Sequence, residues 1–130
     1  MKSPFFIVSA QKAELTPAAN AARADEMARL LTASGLTWER VRGVWDGCIE
    51  DSFLVLATST EGPEFETVRN LAQDFDQVCF LSVDSARIVA LEFVSGDLEI
   101  IGKFQVLPDG AELPQNYTID KDGTVYVTGW

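Results

Sequence analysis

Two X-Pro pairs, Thr16-Pro17 and Gly62-Pro63, punctuate a chain that otherwise breaks into short apolar runs. Proline suits the first helical position, because its missing N–H would be unpaired there anyway. Each pair therefore marks the start of a helix. Thr16 is placed to cap the first, which runs through Ala-rich sequence to about Ala33. Ala19, Ala22, Met27, Leu30 and Leu31 approximate one apolar face, and Gly35 stands just past the end, where glycine most easily adopts a left-handed cap. In the second helix Glu64 and Glu66 complement the helix dipole. Val68, Leu71, Ala72 and Phe75 supply its inward face.

The remaining apolar runs read as strands. Residues 5–9 and 52–57 are continuous enough to be buried, and 38–44 alternate in part, with Val41 opposed to Arg40 and Arg42. Residues 77–83 and 87–93 are strand-like. Ser95-Gly96-Asp97 turns the chain into a further arm at 98–107, after which Pro108-Asp109-Gly110 makes another turn. Residues 117–120 and 125–127 flank Lys121-Asp122-Gly123 as a small terminal hairpin. No repeat, linker or low-complexity tract interrupts the order, so residues 1–130 are read as a single domain. The first six elements run strand, helix, strand, strand, helix, strand. That order predicts an α+β, ferredoxin-like antiparallel sheet with both helices on one face and extra C-terminal strands. Phe5, Trp45, Phe53, Phe80, Phe93 and Phe104 either fill the core of such a fold or cover the free sheet face in an oligomer.

Composition removes several classes of chemistry. At 47% hydrophobic and 23% charged, the chain is an ordinary globular protein and not a disordered one. It contains no histidine, so His-ligated zinc, Ser-His-Asp triads and imidazole acid–base catalysis are excluded. The formal charge of −10 speaks against direct nucleic-acid binding. That charge is uneven: residues 1–45 hold six bases against four acids, and residues 46–130 hold four bases against sixteen acids. Such a field serves solubility, attracts a cationic ligand or mimics a polyanion. Cys48 and Cys79 are too few for a disulfide scaffold and show no metal-ligand spacing. The run at residues 5–8 is too short for a signal-peptide core, and no segment has the roughly 20 apolar residues of a membrane span. A cytoplasmic protein with reduced thiols and no membrane contact is the resulting expectation.

Candidate chemistry concentrates in one segment. Asp120-Lys121-Asp122-Gly123 resembles a calcium loop only faintly, lacks the other ligands and is better explained as a turn. No metal site and no cofactor is expected. Residues 43–52, read as a polar loop between two strands, carry Asp46, Glu50 and Asp51 beside Trp45. Carboxylates next to an indole face suit a ligand cation, although turn residues in a solvated loop look the same. Glu92 is an acid within the apolar run Ala90-Leu91-Glu92-Phe93, either paired in the interior or facing outward.

Val8-Ser9-Ala10, Gly47-Cys48 followed by Glu50, Cys79 after the second helix, Pro108-x-Gly110-Ala111-x-Leu113, and Thr118-Ile119-Asp120-x-x-Gly123 recur in the same order in a known family. Together they resemble the phage-encoded S-adenosylmethionine-degrading enzymes, once called SAM hydrolases and now regarded as SAM lyases. The resemblance spans most of the chain. Ile49, where an aromatic residue can occur, and Asp51 beside Glu50 depart from the pattern.

The resemblance implies cleavage of S-adenosylmethionine to methylthioadenosine and homoserine lactone, without metal or cofactor. It also implies a homo-oligomer, a trimer with sites between subunits, and places the expected cytoplasmic location in a host cell if the protein is phage-encoded. The chemistry suits a chain without histidine. A sulfonium is already an activated leaving group, and the substrate's own carboxylate is the nucleophile, so proximity replaces a strong base. Hydrolysis would need an activated water, with carboxylates as the available bases. Glu50 and then Asp51 are the candidate catalytic carboxylates. Ser9, Trp45, Ser52 and Glu92 are the candidate substrate-binding residues. For both serines a strand-end hydroxyl bonding its own backbone is an equal alternative. The competing functional reading is an acidic DNA mimic or other anti-restriction binding protein without catalysis. The mixed signs of Arg23, Asp25, Glu26 and Arg29 on the first helix count against it.

Overall fold

The computed structural model describes residues 3–129. Its elements are β1 (Phe5–Ser9), α1 (Pro17–Ala33), β2 (Trp38–Trp45), β3 (Cys48–Leu56), α2 (Pro63–Asp74), β4 (Cys79–Val83), β5 (Ile88–Phe93), β6 (Leu98–Val106), β7 (Tyr117–Ile119) and β8 (Val125–Gly129). Thr16 starts α1 by accepting a hydrogen bond from the Ala19 N–H at 3.1 Å, with Pro17 in the first turn. Gly35 ends it at φ 77°, and the Leu36 N–H returns to the Leu31 carbonyl at 3.1 Å.

The sheet is a closed antiparallel barrel in the order β1-β3-β2-β7-β8-β6-β5-β4, with β4 returning to β1. The expected open, ferredoxin-like α+β sheet is therefore incorrect. An open sheet bounded by β2 and β4 would leave two rows of backbone groups unpaired. Instead β7 pairs with β2, β5 pairs with β4, and β6 and β8 join them. The C-terminal strands expected as additions to a sheet are what closes it.

Closure gives every strand an inner and an outer face, which explains why all five residues of β1 are buried. Phe6 and Val8 point outward. With Phe53, Val55 and Phe80 they pack under Ala24, Met27 and Leu31 of α1 and Val68, Leu71 and Ala72 of α2. Each fully buried side chain of Phe or Leu size contributes about 1.5–3 kcal/mol. Phe5 and Ile7 point inward, where they meet Val41, Val83, Val89 and Phe104. The Phe5 ring meets Phe104 edge-on at 5.2 Å, and Phe104 stacks on Tyr126 at 4.9 Å. These rings close part of the lumen. An eight-stranded barrel has room for its own side chains or one small ligand, and here the filling is incomplete.

Candidate functional site

Strand alternation decides which polar side chains meet in the unfilled part of the lumen. In β3, Glu50 and Ser52 share the inner face, and Asp51 and Phe53 the outer one. Register places Ser9 opposite Ser52, and Gly43 between Glu50 on one side and Thr118 on the other. These residues line a cavity of about 550 Å³ that also takes in Cys79, Leu81, Trp45 and Thr128. Residues 11–14 and 76–78 stand at its rim.

Residues 43–52 are not the expected loop. β2 runs to Trp45 and β3 starts at Cys48, leaving Asp46-Gly47 as a two-residue turn. Asp46 at φ 54° and Gly47 at φ 79° have the left-handed conformations of a type I′ hairpin. An Asp-Gly pair flanked by apolar residues is the sequence signal for that turn. Once the turn is placed, the strand alternation puts Glu50 on one face and Asp51 on the other. Asp46 is held outside the cavity: its N–H donates to Asn116 Oδ1 at 2.9 Å, and its carboxylate accepts from Gln115.

Glu50 is half-buried, and among the described residues no hydrogen bond or ion pair reaches its carboxylate. Burial pushes its pKa above the ordinary glutamate value. Cys79 is pushed up by burial and by the Glu50 charge, so its thiol stays protonated at neutral pH. Both cysteines are free. The charged rim is neutralised in part, since Lys12 bridges Asp76 and Glu14. The cavity therefore presents an unpaired, half-buried carboxyl group to whatever enters, with an indole on its edge. Trp45 is 43% exposed there.

Of the candidate residues, Ser9, Trp45, Glu50 and Ser52 come together in this cavity. The Ser9 hydroxyl is already engaged, donating to the Asp51 carbonyl at 2.9 Å and accepting from the Gln11 N–H at 3.0 Å. Asp51 and Glu92 do not join the group. Asp51 lines a separate depression beside α1. Glu92 is on the outer face of β5, where it accepts from Ser82 Oγ at 2.8 Å. The reason in both cases is the two-residue period of a strand, which turns neighbours to opposite faces.

Gly43, Thr118 and Gln11 line the cavity without having been candidate site residues. Thr118 stood in one of the ordered motifs and Gly43 opened the polar segment, but only the barrel's pairing brings them, with Gln11, beside Glu50. No group of three or more His, Cys, Asp or Glu residues fit to hold a metal occurs among the described residues. Asp120 acts as a turn residue, its Oδ1 accepting from the N–H groups of Asp122 and Thr124 at 2.9 Å. On α1, Glu26 pairs with Arg29, and Asp25 pairs with Arg40 of β2, so its acids form no phosphate-like array. No helix among the described residues is long and apolar enough to cross a membrane.

In comparison with protein families, the model of the S-adenosylmethionine lyase family matches residues 6–129. No curated protein matches the chain.

Proposed function

The chain belongs to the S-adenosylmethionine lyase family, and from that premise we propose that it cleaves S-adenosylmethionine to methylthioadenosine and homoserine lactone inside the barrel cavity. One observation carries the placement of the reaction: a half-buried glutamate without a partner, Glu50, in a lumen large enough for a small ligand.

The step needs no proton transfer. A carboxylate oxygen of the substrate attacks its own γ-carbon, and the C–S bond breaks. The bonding pair goes to sulfur, which becomes a neutral thioether. The lactone keeps the ammonium group. The protein's task is to fold the methionine arm so that oxygen and γ-carbon approach, and to keep water from the same carbon. A negative group gripping the sulfonium itself would stabilise the charge that the reaction removes. Glu50 is therefore assigned to the ammonium group or the ribose hydroxyls, where its hold persists through the transition state. Trp45 flanks the adenine ring or the sulfonium, and Ser52 contributes a hydroxyl to the substrate carboxylate.

The reading extends to a cytoplasmic homotrimer. Trp45, Ile49 and Val78 are exposed near the rim, at 43%, 58% and 71%. A second copy laid there would cover them and shield the cavity. Mass measurement in solution tests this point, and a monomer at working concentration overturns it.

The reaction is tested by incubating the protein with S-adenosylmethionine in ¹⁸O-water and separating the products. Methylthioadenosine with homoserine lactone is expected. Any homoserine formed later by lactone opening carries the label in its carboxyl group. Label in the γ-hydroxyl means direct hydrolysis and overturns the intramolecular route. Intact substrate with folded protein overturns the activity. Glu50→Gln is expected to cut turnover by about tenfold or more.

A further inference from the structure

The strand β1 ends at Ser9, and beyond it β3 would lose its backbone partner on that side. A side chain replaces the missing strand. Gln11 Nε2 donates to the Ile49 carbonyl at 2.9 Å, and Gln11 Oε1 accepts from the Asp51 N–H at 3.1 Å. Those two peptide groups flank Glu50. The Gln11 main chain is itself anchored, its N–H on Ser9 Oγ at 3.0 Å and its carbonyl accepting from Gln77 Nε2 at 3.0 Å. Gln77, Gln11 and Glu50 all line the cavity.

We propose that Gln11 is a positioning residue for Glu50: its carboxamide spans the peptide groups on both sides of the carboxylate and fixes the direction in which Glu50 enters the cavity. The inference rests on the assignment of Glu50 to the substrate. The Gln11 carboxamide is not needed to hold the barrel, because the β1–β3 pairing already runs from Phe5 to Ser9. What the carboxamide adds is order at the end of β3, where the strand is paired to β2 alone and its other edge would leave Glu50 freer to swing. Misplacement on the scale of an ångström lowers the rate without abolishing the fold.

Two substitutions separate positioning from mere support. Gln11→Met keeps the length and removes both hydrogen bonds. It is expected to lower kcat by about tenfold, with KM changed much less. Gln11→Glu keeps the acceptor for the Asp51 N–H, loses the donor to Ile49 and places a like charge beside Glu50. Its acid limb of kcat/KM is expected to move to higher pH, since a neighbouring carboxylate disfavours ionisation. The other titratable groups lining the cavity with Glu50 are Cys79 from β4, Tyr117 from β7, and Lys12, Glu14 and Asp76 at the rim, with Lys12 paired to both acids. None of these is changed by either substitution.

The deciding measurement is a double-mutant cycle. If Gln11 acts through Glu50, adding Gln11→Met to Glu50→Gln costs nothing further. Equal losses in both backgrounds overturn the inference while leaving the role of Glu50 intact. Full activity of Glu50→Gln alone overturns the role of Glu50 first. If Gln11→Met fails to fold, Gln11→Glu carries the test. An unmoved acid limb in that variant, with wild-type kcat, also overturns the inference.

Discussion

Glu50 and Asp51 are adjacent in β3 and lie on opposite faces of the barrel wall, Glu50 in the lumen and Asp51 beside α1. A strand cannot present both carboxylates to one ligand. The pair therefore separates by substitution. Asp51→Asn should leave turnover within about twofold of wild type, the usual range for a surface change. Steady-state rates on S-adenosylmethionine for Asp51→Asn and Glu50→Gln measured side by side check this, and equal losses would refute the separation.

Glu50 also bears on stability. Its pKa is raised in the folded protein by burial. Folding therefore favours its protonated form, and the protein loses stability as pH rises from the unfolded value near 4.5 through the folded one. Glu50→Gln removes a desolvated charge, so its melting temperature should exceed wild type by a few degrees at neutral pH. The gap should close as pH falls toward the unfolded value. Melting curves at several pH values test the sign. If Glu50 holds the substrate ammonium, as proposed, the same titration should raise KM as pH falls, because a protonated carboxyl attracts a cation less.

Gly43 lies between Glu50 and Thr118, and a Cβ added there would come no closer than 3.7 Å, to the Glu50 carbonyl oxygen. Alanine thus fits without strain, and a larger side chain extends into the cavity. Glycine within a strand is unfavourable by roughly 0.5–1 kcal/mol relative to alanine. Gly43→Ala should hold or raise the melting temperature, and Gly43→Val should weaken S-adenosylmethionine binding by about tenfold or more, a loss on the scale of one filled methyl-sized subsite. Calorimetry with both variants checks the contrast.

Cys79 offers a probe of occupancy. Its thiol lines the cavity and is held protonated by burial and by Glu50, whereas Cys48 is exposed. A thiol reagent should modify Cys48 first and Cys79 slowly. Glu50→Gln should speed the reaction at Cys79, and S-adenosylmethionine should protect it. Mass spectrometry of the labelled peptides reads both effects, and labelling of Cys79 unaffected by the substrate would move the binding site elsewhere.

The hairpin turn sets the phase of β3. Gly47 at φ 79° occupies a conformation that residues with a Cβ disfavour. Gly47→Ala should cost about 1 kcal/mol, visible as a lower denaturation midpoint. A larger loss of activity than of stability would follow where the β2–β3 register is disturbed, since a one-residue slip turns Glu50 out of the lumen.

Much of the local structure was legible in the residues themselves. Thr16-Pro17, Gly35 and Gly62-Pro63 mark helix ends through backbone chemistry that acts within a few residues. The ordered motifs around Ser9, Glu50, Cys79 and Thr118 carried the family. Asp46-Gly47 also held the phase of β3, and reading it as part of a loop hid the alternation that separates Glu50 from Asp51. Closure of the barrel was beyond local signals. The pairing of β7 with β2, and the link of β8 and β6 to β5, are contacts between residues distant in sequence, favoured because they leave neither β2 nor β4 as an open edge strand. That closure decided that the inner sheet face is a lumen and that Gly43 and Thr118 stand beside Glu50. It also left Glu92 outside. The amino-acid order determined which segments are helix or strand and which chemistry is absent; only long-range pairing determined which side chains share a cavity.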